Sequence, residues 1–293
     1  MSYTYVLKLV YFLVALNAIT GCIGDNKQFA NQPQSSVEQL NNISTAIKKV
    51  KKLAPNYVTE VSYPFVITGD LALKQMKFWR RKIQRSQRAL KKQFFRSDPS
   101  QVIIIWLFKS EASYTENNQR LWGFIPDTPY GYFDPSNKRM VMNIASGGGT
   151  LTHELVHPYI TQNFPESPLW FHEGLASLYE RSRYSGGYIY GMNNWRLASL
   201  TALTKAKASP NLSTMMSSGD GFYGKDRETS YAKARYLMFY LQSRRLLKRY
   251  YRTYRDSVAN DPSGIKALLE VTNESNISSL ESKWVKFVSR QHL

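Results

Sequence analysis

A long amphipathic stretch of the chain covers residues 71–95. Its apolar residues Met76, Trp79, Ile83, Leu90 and Phe94 recur at steps of three, four and seven, and Lys and Arg fill much of the rest. That period places one face on a core and the other in water, which predicts a helix. The pattern changes on either side. Residues 63–68 and the unbroken apolar run 102–108 read as strands, the second one buried and central. Pro64 suits a strand start or a sheet edge, and Gly69-Asp70 ends the strand and caps the helix. Residues 130–145 read as a hairpin around the turn cluster Asp134-Pro135-Ser136-Asn137. Further helices are predicted at 168–184, near 195–205, and over 229–254. A last one opens with the capping box Ser278-Ser279-Leu280-Glu281. Residues 184–218, rich in Gly, Ser and Tyr, read as a loop over a cleft.

The hairpin is followed by Gly147-Gly148-Gly149, with Thr150 as N-cap of a helix that carries His153-Glu154-Leu155-Val156-His157. The glycines are no phosphate loop, because no Gly-Lys-Ser/Thr follows. Residues four apart share a helix face, so His153 and His157 can present two imidazoles to one metal ion. Glu154, one position round, lies beside the ion, where a carboxylate can take a proton from activated water. A catalytic zinc site needs a third protein ligand and an open fourth position. Glu173, sixteen positions on, suits that place if a second helix packs back. Its neighbour His172 is the rival and points about 100° away on a helix. Pro158 follows the second His directly and predicts a kink or an end to the helix there.

Composition adds the setting. The 293 residues carry a net charge of +18, four His and one Cys. Such a charge fits anionic partners, but the basic residues follow helices and match no nucleic-acid motif. Solvated helix faces near an anionic envelope are expected, and no nucleic acid. The lone Cys22 excludes an internal disulfide. It follows an apolar run over 9–19, too short to span a bilayer and suited to a signal peptide. Ile19-Thr20-Gly21-Cys22 resembles a bacterial lipobox, which implies that residues 1–21 are removed and that Cys22 is lipidated. Ile23 in the next place resembles outer-membrane retention, facing the periplasm. Residues 22–56, rich in Gln, Asn, Ser and Lys, read as a flexible tether with a helical turn within 37–50. The folded domain is expected over 57–293. The four Asn-x-Ser sites read as composition.

His153 to His157, together with Pro168-Leu169-Trp170-Phe171-His172-Glu173-Gly174-Leu175-Ala176, resembles the gluzincin metallopeptidases, and among them the bacterial peptidase-MA-like group. Metzincins do not fit, since Ile160 stands where they have Gly. The resemblance covers residues 65–288 and is specific only around 150–180. It implies Zn²⁺ on His153, His157 and Glu173, with Glu154 as general base. It implies an α+β zincin-like domain: a small mixed sheet with an edge strand before the HExxH helix, and a helical C-terminal part. In gluzincins that edge strand holds the substrate backbone, which implies Asn143 and Ala145 as substrate-binding residues. Many gluzincins place an acid four after the ligand Glu; Ser177 stands there, and Glu180 reads as solvated. The group also tends to have a Tyr at the start of the following helix, which implies Tyr231 as an oxyanion donor. The expected function is hydrolysis of a peptide or protein substrate. Two alternatives stand beside it: an envelope lipoprotein with a structural metal site, and a zinc amidohydrolase acting on cell-wall amides.

Overall fold

The computed structural model describes residues 36–205 and 211–293. The residues up to 35, with the expected signal peptide and Cys22, lie outside them. The fold is α+β, with a mixed five-stranded sheet, a small two-stranded sheet and a helical C-terminal part.

Helix α1 (Ser36–Leu53) comes first. Strands β1 (Val58–Ser62) and β2 (Phe65–Gly69) form an antiparallel hairpin, with Pro64 in its turn. Helix α2 (Leu73–Gln93) crosses to β3 (Ile103–Phe108), which pairs parallel with β2. Helix α3 (Glu111–Trp122) leads to β4 (Gly131–Asp134), which pairs antiparallel with β5 (Arg139–Asn143). The strand order is β1-β2-β3-β5-β4, with β3 and β5 parallel.

All six residues of β3 are buried, as expected of a central strand. Successive side chains leave a strand on opposite faces. Ile103, Ile105 and Leu107 therefore join the larger core with α2, and Ile104, Trp106 and Phe108 join a smaller one on the other face. The smaller core is closed by α1 and α3. Here the expected tether is corrected: Ile43, Ala46, Ile47, Val50 and Leu53 recur at helical spacing and pack on Val66, Trp106 and Val141. The folded unit thus includes α1 and does not start at residue 57, because the sheet's second face needs a cover.

The larger core continues into helices α4 (Gly149–Asn163) and α5 (Leu169–Leu178). A hairpin of β6 (Ser182–Ser185) and β7 (Tyr188–Gly191) follows, where a loop was expected. Then come α6 (Arg196–Lys205), α7 (Leu212–Met216) and α8 (Arg227–Ser243). The expected helix over 229–254 breaks at Arg245, whose φ is 61°, and resumes as α9 (Leu247–Ser257). Helices α10 (Ile265–Thr272) and α11 (Ile277–Ser289) close the chain; Asn276, not Ser278, caps α11 by accepting the Ser279 N–H. Among the described residues no helix is long and apolar enough to cross a membrane.

Candidate metal centre

Helices α4 and α5 carry the site, and glycines let them sit where they do. A Cβ on Gly149 would lie 2.1 Å from the Glu180 carbonyl oxygen. The bare backbone therefore lets the chain at Glu180 approach α4 one turn before His153, on the same face. A Cβ on Gly174 would lie 3.1 Å from Ala234 Cβ, so glycine there lets α5 close on α8. Two expectations about these helices are corrected. Helix α4 does not end at Pro158 but continues to Asn163, held by the buried Leu155, Val156, Tyr159 and Ile160 on both sides of the missing N–H. Helix α5 stops at Leu178 rather than running to 184. The buried Arg235 of α8 donates to Ser177 O at 3.0 Å and also to the Leu178 and Met192 carbonyls, putting a cation on the helix C-terminus.

Packing brings three ligand atoms together. His153 Nε2 lies 3.2 Å from Glu173 Oε2, and His157 Nε2 lies 3.9 Å from the same oxygen. One donor atom from each of the three residues falls within 4.8 Å of the others. Ligands bound at the usual zinc distances to a tetrahedral ion stand about 3.4 Å apart, so the spacing suits a single ion. Glu173 Oε2 is buried and has no hydrogen-bond partner, an orphan that a cation would satisfy. His153, His157 and Glu173 can therefore hold a metal ion. His172 is not in the set; its ring stacks on that of His157, centroids 6.0 Å apart and planes 13° apart.

The surroundings orient these ligands. Tyr223, in a 3₁₀ turn at 219–223, donates to Glu173 Oε1 at 2.6 Å and leaves Oε2 to face the imidazoles. Glu180 is not solvated. Its Oε1 lies 3.5 Å from His153 Nδ1, and its carboxylate takes Arg196 Nε at 3.2 Å, Arg196 Nη2 at 3.1 Å and Asn194 Nδ2 at 2.9 Å. A carboxylate behind a ligand His fixes the ring and raises its basicity. Ser177, expected in that place, is fully buried, and its hydroxyl has no partner. Glu180 and Tyr223 escaped the sequence reading; Gly149, one turn before His153, was the one local hint of the first.

Electrostatics follow from burial and neighbours. Burial opposes charge on His153, but Glu173, Glu180 and Glu154 outweigh it and push its pKa up to about 10. Burial dominates at His157, down to about 3, and at His172, down to about 4. The protein groups thus favour one cationic imidazole, His153, beside a neutral one. Glu173 is held below the usual carboxylate range: burial acts upward, and His157, His153 and Tyr223 overcome it. The carboxylates that attract a proton here also attract a metal cation. Glu154 is pushed up to about 7 by burial, against the pull of His153.

The site opens into a cleft with two lobes, about 770 and about 360 Å³, that share Gly131, His153, Glu154 and Tyr231. Strand β4 is one of the sheet's two edges, and its Gly131 lines both lobes. The edge strand beside the cleft is thus β4, not the strand directly before the HExxH helix as expected. Strand β5, directly before the HExxH helix, is paired on both sides. Asn143 is buried, donates to Pro129 O at 2.9 Å and accepts the Ala145 N–H at 3.1 Å. Neither Asn143 nor Ala145 lines the two lobes. The Asn143 side chain and the Ala145 N–H are taken up in turning the chain into α4. Tyr231, on α8, does line both lobes; burial, followed by the nearby charge of Glu173, raises its pKa.

A family model described as "Protein of unknown function (DUF1570)" matches residues 148–263, so the chain carries a DUF1570 domain there. The match begins at the N-cap of α4 and spans the three residues that could hold a metal, Glu154, Glu180, Tyr223 and Tyr231, but leaves out the five-stranded sheet. Compared with curated proteins, the chain matches none.

Proposed function

We propose that the chain is a zinc-dependent metallopeptidase of gluzincin type, carried on a bacterial envelope lipoprotein anchored through Cys22. One observation carries the reading. A two-His, one-Glu donor set lies beside a buried carboxylate that no ligand role occupies, in a cleft bordered by a free strand edge. A closed structural site would place a fourth ligand on the metal and would not need the cleft.

A Zn²⁺ ion on His153, His157 and Glu173 would supply a Lewis acid and lower the pKa of water. The chain's own residues do the rest. An extended peptide can add to the free edge of β4, gaining main-chain hydrogen bonds along Gly131–Asp134. Glu154, near neutrality in pKa, is suited to take a proton from the attacking water and hand it to the leaving nitrogen. Tyr231, which lines the cleft with its phenol kept protonated, would donate to the carbonyl oxygen as charge develops. Glu180 with Arg196 orients His153, and Tyr223 orients Glu173.

The test pairs metal analysis of the purified protein with hydrolysis of casein and of peptidoglycan fragments. Stoichiometric zinc with cleavage of casein supports the peptidase. Cleavage of the cell-wall amides alone makes it an amidohydrolase, and zinc without any hydrolysis makes the site structural.

A further inference from the structure

The metal centre leaves the charge of α2 without a role. From Leu73 to Gln93 this helix has no acidic residue. Six of its cations, Lys74, Lys77, Arg81, Arg85, Arg88 and Lys92, fall on one stripe within about 100° of the helical wheel, as steps of three and four require. All six are exposed, and the stripe is about 27 Å long. Two other cations of the helix are paired, Arg80 with Glu60 at 3.0 Å and Lys91 with Asp98 at 2.5 Å. Among the described residues none of the six in the stripe has an ion pair; Arg85 and Lys92 instead stack over the Tyr184 and Tyr188 rings of the β6–β7 hairpin, 4.4 and 4.3 Å from their centroids. The hairpin strands carry no acid either. A row of like charges repels itself unless something anionic lies along it.

Two apolar side chains say what kind of anion. Phe78 borders the stripe and is 52% exposed; Leu73, at the helix start, is 50% exposed. Neither gains anything from a purely ionic polymer. Both gain by leaving water at the boundary between headgroups and acyl chains, with Lys and Arg at headgroup level. We infer that the α2 stripe, bordered by the tyrosines of the β6–β7 hairpin, is a docking face for an anionic lipid bilayer. The inference is independent of the peptidase reading.

Residues 36–293 contain both cores and form one compact unit, so this unit is used alone and binding through the N-terminus cannot mimic the result. Co-sedimentation is measured with vesicles of phosphatidylglycerol and phosphatidylcholine, and with phosphatidylcholine alone. The unit is expected to bind only the anionic vesicles. Each cation near such a surface is worth about fivefold in binding. The triple change Arg81→Gln, Arg85→Gln and Arg88→Gln is therefore expected to weaken binding on the order of a hundredfold. The triple change Lys266→Gln, Lys286→Gln and Arg290→Gln, equal in charge and far along the chain in α10 and beyond, leaves binding unchanged. Phe78→Ser weakens binding to vesicles but not to double-stranded DNA. Thermal melts of all variants check that they fold. Equal loss in both triples makes the binding a matter of net charge and overturns the proposal. So does an absence of binding, or DNA binding as tight as vesicle binding with no effect of Phe78.

Discussion

Helices α2 and α4 lie on one core and treat charge in opposite ways. Helix α4 buries His153 and Glu154, and the ionisable groups around them are paired within a few ångströms: His153 with Glu173 and Glu180, Glu180 with Arg196. Helix α2 sends its stripe of cations to water and leaves it unpaired inside the protein. Burial of an ionised group is costly without a partner, so each buried charge of α4 restricts its neighbours. An exposed cation restricts nothing. Substitutions in α4 and its surroundings should therefore propagate into function, and substitutions in the α2 stripe should leave fold and metal centre alone.

The sharpest break comes from the metal helix. Glu154→Gln should keep its metal, because Glu154 is not in the donor set, while hydrolysis falls about 10²–10⁴-fold. His153→Ala should lose metal and activity together. Elemental analysis beside turnover separates the two, and metal loss in Glu154→Gln would place that residue among the ligands.

The next largest effect concerns the two phenols near Glu173. Tyr231→Phe should lower turnover about 10²–10³-fold with metal content unchanged, if its phenol donates to the oxyanion as charge develops. Tyr223→Phe removes the bond that fixes Glu173 Oε1, and its signature should be weaker metal retention against a chelator. Unchanged turnover in Tyr231→Phe would leave that residue a packing role only.

Glu180→Gln tests the reach of burial. It keeps size and an acceptor but removes the charge behind His153, and metal affinity should fall about 10–100-fold. Competition with a coloured chelator measures this. Undiminished affinity would mean that Glu180 serves only Arg196.

Helix α2 supplies the smallest effect. Lys77→Gln and Arg81→Gln, singly or together, should shift unfolding free energy by no more than about 0.5 kcal/mol each. Denaturant melts check this. A larger loss would mean that these cations support the fold, and the contrast between the helices would fail.

Much of the site was legible because its chemistry is local. His153 and His157 share a face through the geometry of a single helix, and Glu173 follows in a stretch whose Trp170, Phe171, Leu175 and Ala176 are all buried. The period of α2 and the unbroken run of β3 were readable for the same reason: a repeat of three to four or a solid apolar run depends on neighbours in the chain. The tertiary structure decided what depends on distant pairs. Glu180 reaches His153 across 27 positions, and Tyr223 reaches Glu173 across 50. Neither has a local pattern, because a carboxylate or phenol is recruited by whichever helix packs beside it. The edge of the sheet passed from the strand before α4 to β4 because strand order is a property of pairing, not of sequence order. Residues 36–54 read as a polar tether because most of their side chains face water; only the exposed second face of the sheet makes their few apolar positions a docking stripe. Sequence determined which residues could hold a metal, and packing decided which groups hold those residues in place.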